Sequence, residues 1–276
     1  MAKRLKVHLV IIDPQNDFMD IPGATLPVAG ASEDMKRVAK LIDRVGHKLD
    51  DIHITLDSHN RISIERPSWW MGPDGKQPPP FTLILASDVE AGIWTPRNPN
   101  FRDRTLKYLR DLEASPDNYR HMVWTHHCEI GTWGHNVYPE LLPALQRWQD
   151  KEFANVHFVT KGSNPWTEHF GALMAEVPDP DDPSTQLNTD FLGMMAEADL
   201  IGVAGEASSH CVLRTIHQIA KNIGDEHLKK FNILTDGMSS IGVNPGGPDF
   251  PKITKAFFKD MERRGMKLVT CADFLS

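Results

Sequence analysis

Short apolar runs, each followed by a stretch with helical spacing, recur along this chain and constrain its fold more than any other feature. Val7–Ile12 is nearly continuous in apolar character, as in a parallel strand covered on both faces. Ser32 can cap a helix with Glu33 and Asp34 in its first turn. Met35, Val38, Leu41, Ile42, Val45 and Leu49 then recur at helical spacing. Further strands are predicted at 52–56, 121–124, 155–160, 199–203, 231–235 and 267–271. Further helices are predicted at about 139–149, 187–197, 209–223 and 251–264. Strands alternating with helices imply βαβ units and an α/β fold, a parallel sheet with helices on both faces.

Residues 60–119 break this rhythm. They hold Trp69-Trp70, the run Pro78-Pro79-Pro80 and the segment PRNPN at 96–100, with room for a short strand at 82–85 and a short helix at 105–112. The large apolar residues mark an elaborated insertion in a single domain spanning 1–276, not a linker.

Composition narrows the partners. Thirty Lys and Arg against 37 Asp and Glu give a net charge of -7, which speaks against a nucleic-acid-binding surface. No apolar run approaches the ~20 residues that span a bilayer, so no membrane partner is expected. The opening, MAKRLKVHLVIIDPQ, is basic and then apolar, but it breaks at Asp13-Pro14 and reads as a first strand. Three cysteines, Cys128, Cys211 and Cys271, without a CxxC pair fit a reducing, cytoplasmic compartment. No P-loop and no GxGxxG supports nucleotide-cofactor chemistry.

In parallel sheets, ligands bind beyond the carboxyl ends of the strands. Here those ends carry reactive groups. Asp13 follows the first strand in IIDPQNDF. Asp57 and His59 follow the second, and His126, His127 and Cys128 follow VWT. Lys161 follows HFVT, and Glu206 to Cys211 follow LIGVAG. Cys211 is the sharpest candidate. Ser208 or Ser209 can cap a helix whose inner face is Val212, Ile216, Ile219 and Ile223, with Gly224 as its stop. In the first turn, exposed helix N–H groups would lower the thiol pKa and favour a nucleophilic thiolate. Alone, such a cysteine reads as a small core hydrophobe; an acid and a lysine on the same sheet edge reverse that reading. Asp13 is placed to take the thiol proton, and Lys161 to hold both groups by its charge. Asp57 and His59, two apart on extended chain, point the same way, and with His127 they make an Asp-His-His metal set. Such ligands suit zinc foremost, with iron or manganese as alternatives. A structural zinc site from His126, His127, Cys128 and His135 competes with it.

Taken together, these residues resemble the isochorismatase-like cysteine hydrolases, in particular their nicotinamidase branch. IIDPQNDF is similar to that branch's opening motif, VTKG to its lysine motif, GEASSHCV to its nucleophile motif and WTHHCEIGTWGHNVYPEL to its metal-histidine stretch. The four stand in the family's order between about Lys6 and Ser276. The resemblance implies a three-layer α/β/α fold around a six-stranded, mainly parallel sheet. It implies a triad of Asp13, Lys161 and Cys211, and a divalent metal ion on Asp57, His59 and His127. It implies a cis peptide between Glu206 and Ala207, with the Ala207 and Cys211 N–H groups forming an oxyanion hole. It also implies a substrate ring packed by Phe18 and Trp124. The implied activity is release of ammonia from a small-molecule amide, foremost nicotinamide to nicotinate, through a thioester, in a homo-oligomer. Hydrolysis of another small amide of carbamoyl, ureido or maleamate type is an alternative. So are a metal-free isochorismatase-like ether hydrolase and a catalytically silent binding protein. Three departures stand out. Ser208-Ser209 replaces the family's common Thr-Asp, SNPWTEHF replaces a tyrosine-rich stretch, and 67 positions separate His59 from His127.

Overall fold

The computed structural model describes residues 4–116, 119–242 and 248–276. Six strands form the central sheet: β1 (Val7–Ile12), β2 (Asp51–Asp57), β3 (His157–Lys161), β4 (Leu200–Gly205), β5 (Phe231–Leu234) and β6 (Lys267–Val269). Their spatial order is β6-β5-β4-β1-β2-β3, and every pairing is parallel. Five helices cover the sheet: α1 (Ala31–Val45), α2 (Leu142–Glu152), α3 (Thr189–Glu197), α4 (Cys211–Asn222) and α5 (Phe250–Arg263).

Strand alternation decides which residues face which layer. On β1, Val7, Leu9 and Ile11 pack with Val38 and Leu41 of α1 and with Leu145 and Trp148 of α2. Val10 and Ile12 face the other way, onto Phe191 of α3, Ile216 and Ile219 of α4 and Met261 of α5. The result is the expected three-layer α/β/α arrangement. The strand order reverses direction between β1 and β4, which opens a crevice at their carboxyl ends. Asp13 lies just past β1 and Glu206 just past β4, so both flank this switch point.

Several boundaries differ from expectation for local reasons. Gly30, in the left-handed region at φ 97°, caps α1, and Ser32 instead donates its hydroxyl to Asp20. His210 precedes α4, and neither Ser208 nor Ser209 supplies a side-chain cap. Asn188 and Asp249 do cap α3 and α5, accepting from the N–H groups of Phe191 and Lys252. The larger correction concerns 121–124. Only His121–Met122 is strand, and it pairs antiparallel with Leu83–Ile84, outside the central sheet.

The insertion has its own core. Ile64, Trp70, Val89, Leu106, Leu109 and Val123 are buried together, with Trp94, Phe101 and Trp166 packed against them. Its longest element is the helix Arg102–Glu113. It meets the central sheet through the segment after His121. The Trp124 N–H donates to Glu65 O at 2.8 Å, and the His59 N–H donates to Cys128 O at 3.0 Å. The insertion therefore carries one wall of the crevice. Among the described residues no helix is long and apolar enough to cross a membrane.

Candidate active site

Lys161 is the centre of the crevice floor. Asp57 and Lys161 are register partners on β2 and β3, so their side chains leave the sheet side by side. The Lys161 Nζ lies 2.8 Å from Asp57 Oδ1, 2.9 Å from Asp13 Oδ2 and 3.7 Å from Cys211 Sγ. It also donates to the carbonyl of His169 at 3.2 Å. Asp13, Lys161 and Cys211, 198 residues apart from first to last (211 − 13), are thus brought to one buried point.

Asp13 reaches this point through a local twist. Its φ is 46°, in the left-handed region that a residue with a Cβ seldom adopts. The Asp13 N–H donates to Thr55 Oγ1 at 3.0 Å, and the Thr55 hydroxyl donates back to Asp13 Oδ1 at 2.5 Å. The rest of the DPQNDF motif holds the surrounding loops. Gln15 pairs with the backbone of Asp57, accepting its N–H at 2.7 Å and donating to its carbonyl at 2.8 Å. Asn16 donates to Trp133 O at 2.8 Å, and Asp17 Oδ2 accepts the Cys128 N–H at 2.7 Å. Gly134 permits this approach, since a Cβ there would fall 1.9 Å from Asp17 Oδ2.

Cys211 opens α4, as expected, but its environment does not favour the thiolate. Burial pushes its pKa well above the usual thiol value. Lys161 opposes this, while Asp13 and Asp57 add to it. The expected depression by the helix end is therefore overridden, and the resting group is a thiol. Burial also raises the Asp13 carboxyl, against the pull of Lys161. Burial works against the Lys161 ammonium, but Asp13 and Asp57 outweigh it and hold its pKa well above the ordinary value.

The peptide between Glu206 and Ala207 is cis. Ala207 and Cys211 border a cavity that is also lined by Phe18, Trp124, Phe170 and His210. The Trp124 indole N–H donates to Glu168 Oε2 at 2.9 Å, and the His210 ring meets Trp124 edge-on with centroids 5.6 Å apart. Phe18 packs on His127, centroids 5.4 Å apart.

Asp57, His59 and His127 converge beside this cavity. The Asp57 Oδ2 lies 2.7 Å from His59 Nε2 and 3.3 Å from His127 Nε2, and all three side chains are buried. Two imidazoles and a carboxylate suit a zinc-class ion. The surroundings fit one too. Glu65 Oε1 stands 3.0 Å from His59 Nδ1, the arrangement that orients metal-ligating histidines. Gly162 leaves the set its room, because a Cβ there would sit 3.0 Å from His59 Cε1 and 3.2 Å from Asp57 Oδ1. The Lys161 ammonium on Asp57 Oδ1 works against a cation, and so does Arg66. Its buried guanidinium places Nη1 2.8 Å from His127 Nδ1, and arginine only donates. Ligation through His127 Nε2 requires the Nδ1 proton to turn to the Thr125 carbonyl, 3.1 Å away. Burial, with help from Arg66, brings the His127 pKa to about 3. Burial and Arg66 also press on His59, but Asp57 and Glu65 outweigh them and raise its pKa to about 9.

The competing zinc site does not assemble. His126 Nδ1 pairs with Glu129 at 2.7 Å, His135 Nε2 with the Ser58 hydroxyl at 2.8 Å, and Cys128 Sγ faces the Gly134 carbonyl. Glu65, Arg66, Glu168, His169 and His210 were not singled out from the sequence. The one signal for Glu168 and His169 was their place in SNPWTEHF, shortly after Lys161.

Searches of family models and of curated proteins by sequence give no match. Solved structures do match over nearly the whole chain. An Acinetobacter baumannii nicotinamidase/pyrazinamidase superposes with a TM-score of 0.61 at 20% identity, covering 99% of this chain and 100% of its own. A Pyrococcus horikoshii pyrazinamidase in complex with zinc gives 0.53 at 17%, covering 96% and 99%. An isochorismatase family protein from Desulfovibrio vulgaris gives 0.54 at 17%, covering 98% and 96%. The fold is thus that of the isochorismatase-like hydrolases, with nicotinamidases among its structural neighbours.

Proposed function

We propose that the protein is a cysteine-dependent amidohydrolase that releases ammonia from a small amide, foremost nicotinamide. The observation that carries this reading is the single ammonium of Lys161, in reach of the Asp13 carboxylate and of the Cys211 sulfur, which itself lines an aromatic cavity. Asp13 takes the thiol proton as the sulfur attacks the carbonyl carbon, so no free thiolate is needed at rest. The oxyanion accepts hydrogen bonds from the N–H groups of Ala207 and Cys211, an interaction worth roughly 3–4 kcal/mol per donor in comparable sites. Asp13 returns the proton to the departing ammonia. It then deprotonates a water that attacks the thioester, and the acid product leaves as the thiol is restored. Lys161 stays charged throughout and offsets the negative charge that moves between Asp13 and Cys211. Phe18 and Trp124 flank a planar ring. A divalent ion on Asp57, His59 and His127 would supply a Lewis acid that binds and orients a ring nitrogen.

Glu168 favours a second reading within the same chemistry. A carboxyl in this cavity suits an amide with a further N–H donor, such as a ureido compound. The test is ammonia release over a panel of amides by as-purified and chelator-treated protein. Turnover of nicotinamide that falls on chelation is expected. Turnover confined to a ureido compound would transfer the assignment to the second reading, and silence across the panel would leave a binding protein.

A further inference from the structure

A second cluster of polar side chains lies at the other end of the strands. The sequence repeats one pattern on three neighbouring strands, with a histidine four or five residues before each polar strand end: His8 before Asp13, His53 before Asp57 and His157 before Lys161. In the sheet, His8 pairs in register with Asp51, and His53 with His157. All four side chains fall on the face that also carries Asp57 and Lys161. At about 3.3 Å per residue the three histidines stand roughly 13–16 Å below the crevice floor. The contacts are direct. His53 Nε2 lies 3.1 Å from His8 Nδ1, His8 Nε2 lies 3.0 Å from Asp51 Oδ2, and Asp51 Oδ1 lies 3.2 Å from His157 Nε2. His8 and His53 are fully buried, and His53 Nδ1 has no hydrogen-bond partner. Asp51 and His157 keep contact with solvent.

We propose that His8, Asp51 and His53 form a second divalent-metal site, structural in role and separate from the crevice. One ligand atom from each already lies within 4.8 Å of the other two. Bonds of about 2.0–2.1 Å to one ion would draw these atoms closer together. Two imidazoles and a carboxylate select borderline ions such as zinc, cobalt or nickel over calcium or magnesium. The exposed edge at Asp51 and His157 gives the ion an entry path and leaves positions for water. Once bound, the ion ties β1 to β2 at their amino ends.

Cobalt(II) is the probe, because its visible absorption reports coordination, and metal-stripped full-length protein is the sample. The wild type should take up two equivalents. His53→Phe keeps a ring against His157 and Phe191, which flank His53 at 5.2 and 5.7 Å, and should take up one while amide turnover is unchanged. Asp51→Asn, nearer to solvent, should do the same and stands in if His53→Phe fails to fold. His59→Ala should retain one equivalent, held by the lower cluster. One equivalent that survives both His53→Phe and Asp51→Asn, yet vanishes in His59→Ala, overturns the second site. One equivalent lost in His53→Phe but kept in His59→Ala supports it and removes the ion from the crevice instead. No uptake at all overturns both.

Discussion

Lys161 neutralises two carboxylates that would otherwise repel each other in a space closed to water. Removing one partner of such a buried set leaves uncompensated charge and typically costs about 3–5 kcal/mol. Lys161→Met should therefore lose both turnover and a comparable part of its stability, read by ammonia release and by thermal melting. A fully stable variant would show that the contacts to Asp13 and Asp57 matter little. Removal of Asp13 deprives Cys211 of the base that takes the proton of its buried thiol. Asp13→Asn should alkylate more slowly with iodoacetamide at pH 7 than the wild type and should no longer turn over amide. Unchanged alkylation would show that Asp13 does not act on the sulfur. Glu168 sets the pH response of the cavity. Burial, and then Glu65, push its carboxyl up to about 7. An uncharged ring that displaces water beside Glu168 favours its neutral form, so KM should rise as pH passes through 7. Glu168→Gln should lose that inflection, and superimposable profiles for the two proteins would contradict the assignment. At this scale the sequence was legible where a reactive side chain follows a strand directly, as for Asp13, Asp57 and Lys161. The thiol pKa was misjudged because burial beside two carboxylates outweighs a helix end. Glu65, Arg66 and His210 stayed hidden because their position depends on how loops pack, which spacing does not reveal.

The elements were easiest to read where one face or both are buried. Val7–Ile12 has apolar residues on both faces because helices cover both, and α1 shows its stripe because one side meets β1. The predicted strand at 121–124 failed for the converse reason. Val123 serves the separate core of the insertion while Trp124 lines the crevice, and two residues of antiparallel pairing leave no pattern long enough to tell from a parallel strand. The turn after β4 is the most constrained junction near the site. Gly205 has φ 122°, and a Cβ there would fall 2.1 Å from the carbonyl oxygen of Ile12. Gly205→Ala must part β4 from β1 where Gly205 pairs in register with Ile12. A loss of about 3 kcal/mol or more is expected, with turnover reduced in whatever remains folded. An unchanged melting temperature would mean that this end of the sheet tolerates separation.

For the whole molecule, the parallel sheet is a frame and the insertion completes the crevice. The frame brings Asp13, Asp57, Lys161 and Cys211 together through strand order alone. The insertion core supports Trp124 and, through Glu65 and Arg66, the two histidines. Trp70 is fully buried at the heart of that core, so Trp70→Ala should cost about 3–5 kcal/mol and weaken substrate binding more than thiol reactivity. Metal should couple to global stability in the same way. In the His53→Phe background, where only the crevice set remains, zinc at a hundredfold excess over its Kd should stabilise the stripped protein by about 2.7 kcal/mol. A melting temperature indifferent to zinc would separate the ion from the folded state.

The claim on which the account rests is that the Cys211 sulfur attacks the amide carbon, and acid-quench mass spectrometry of the enzyme during turnover addresses it directly. With nicotinamide as substrate, the peptide containing Cys211 should carry a nicotinoyl group that disappears as substrate is consumed, and Cys211→Ala should show neither adduct nor ammonia. Steady ammonia release with Cys211 unmodified, or from Cys211→Ala, would contradict it.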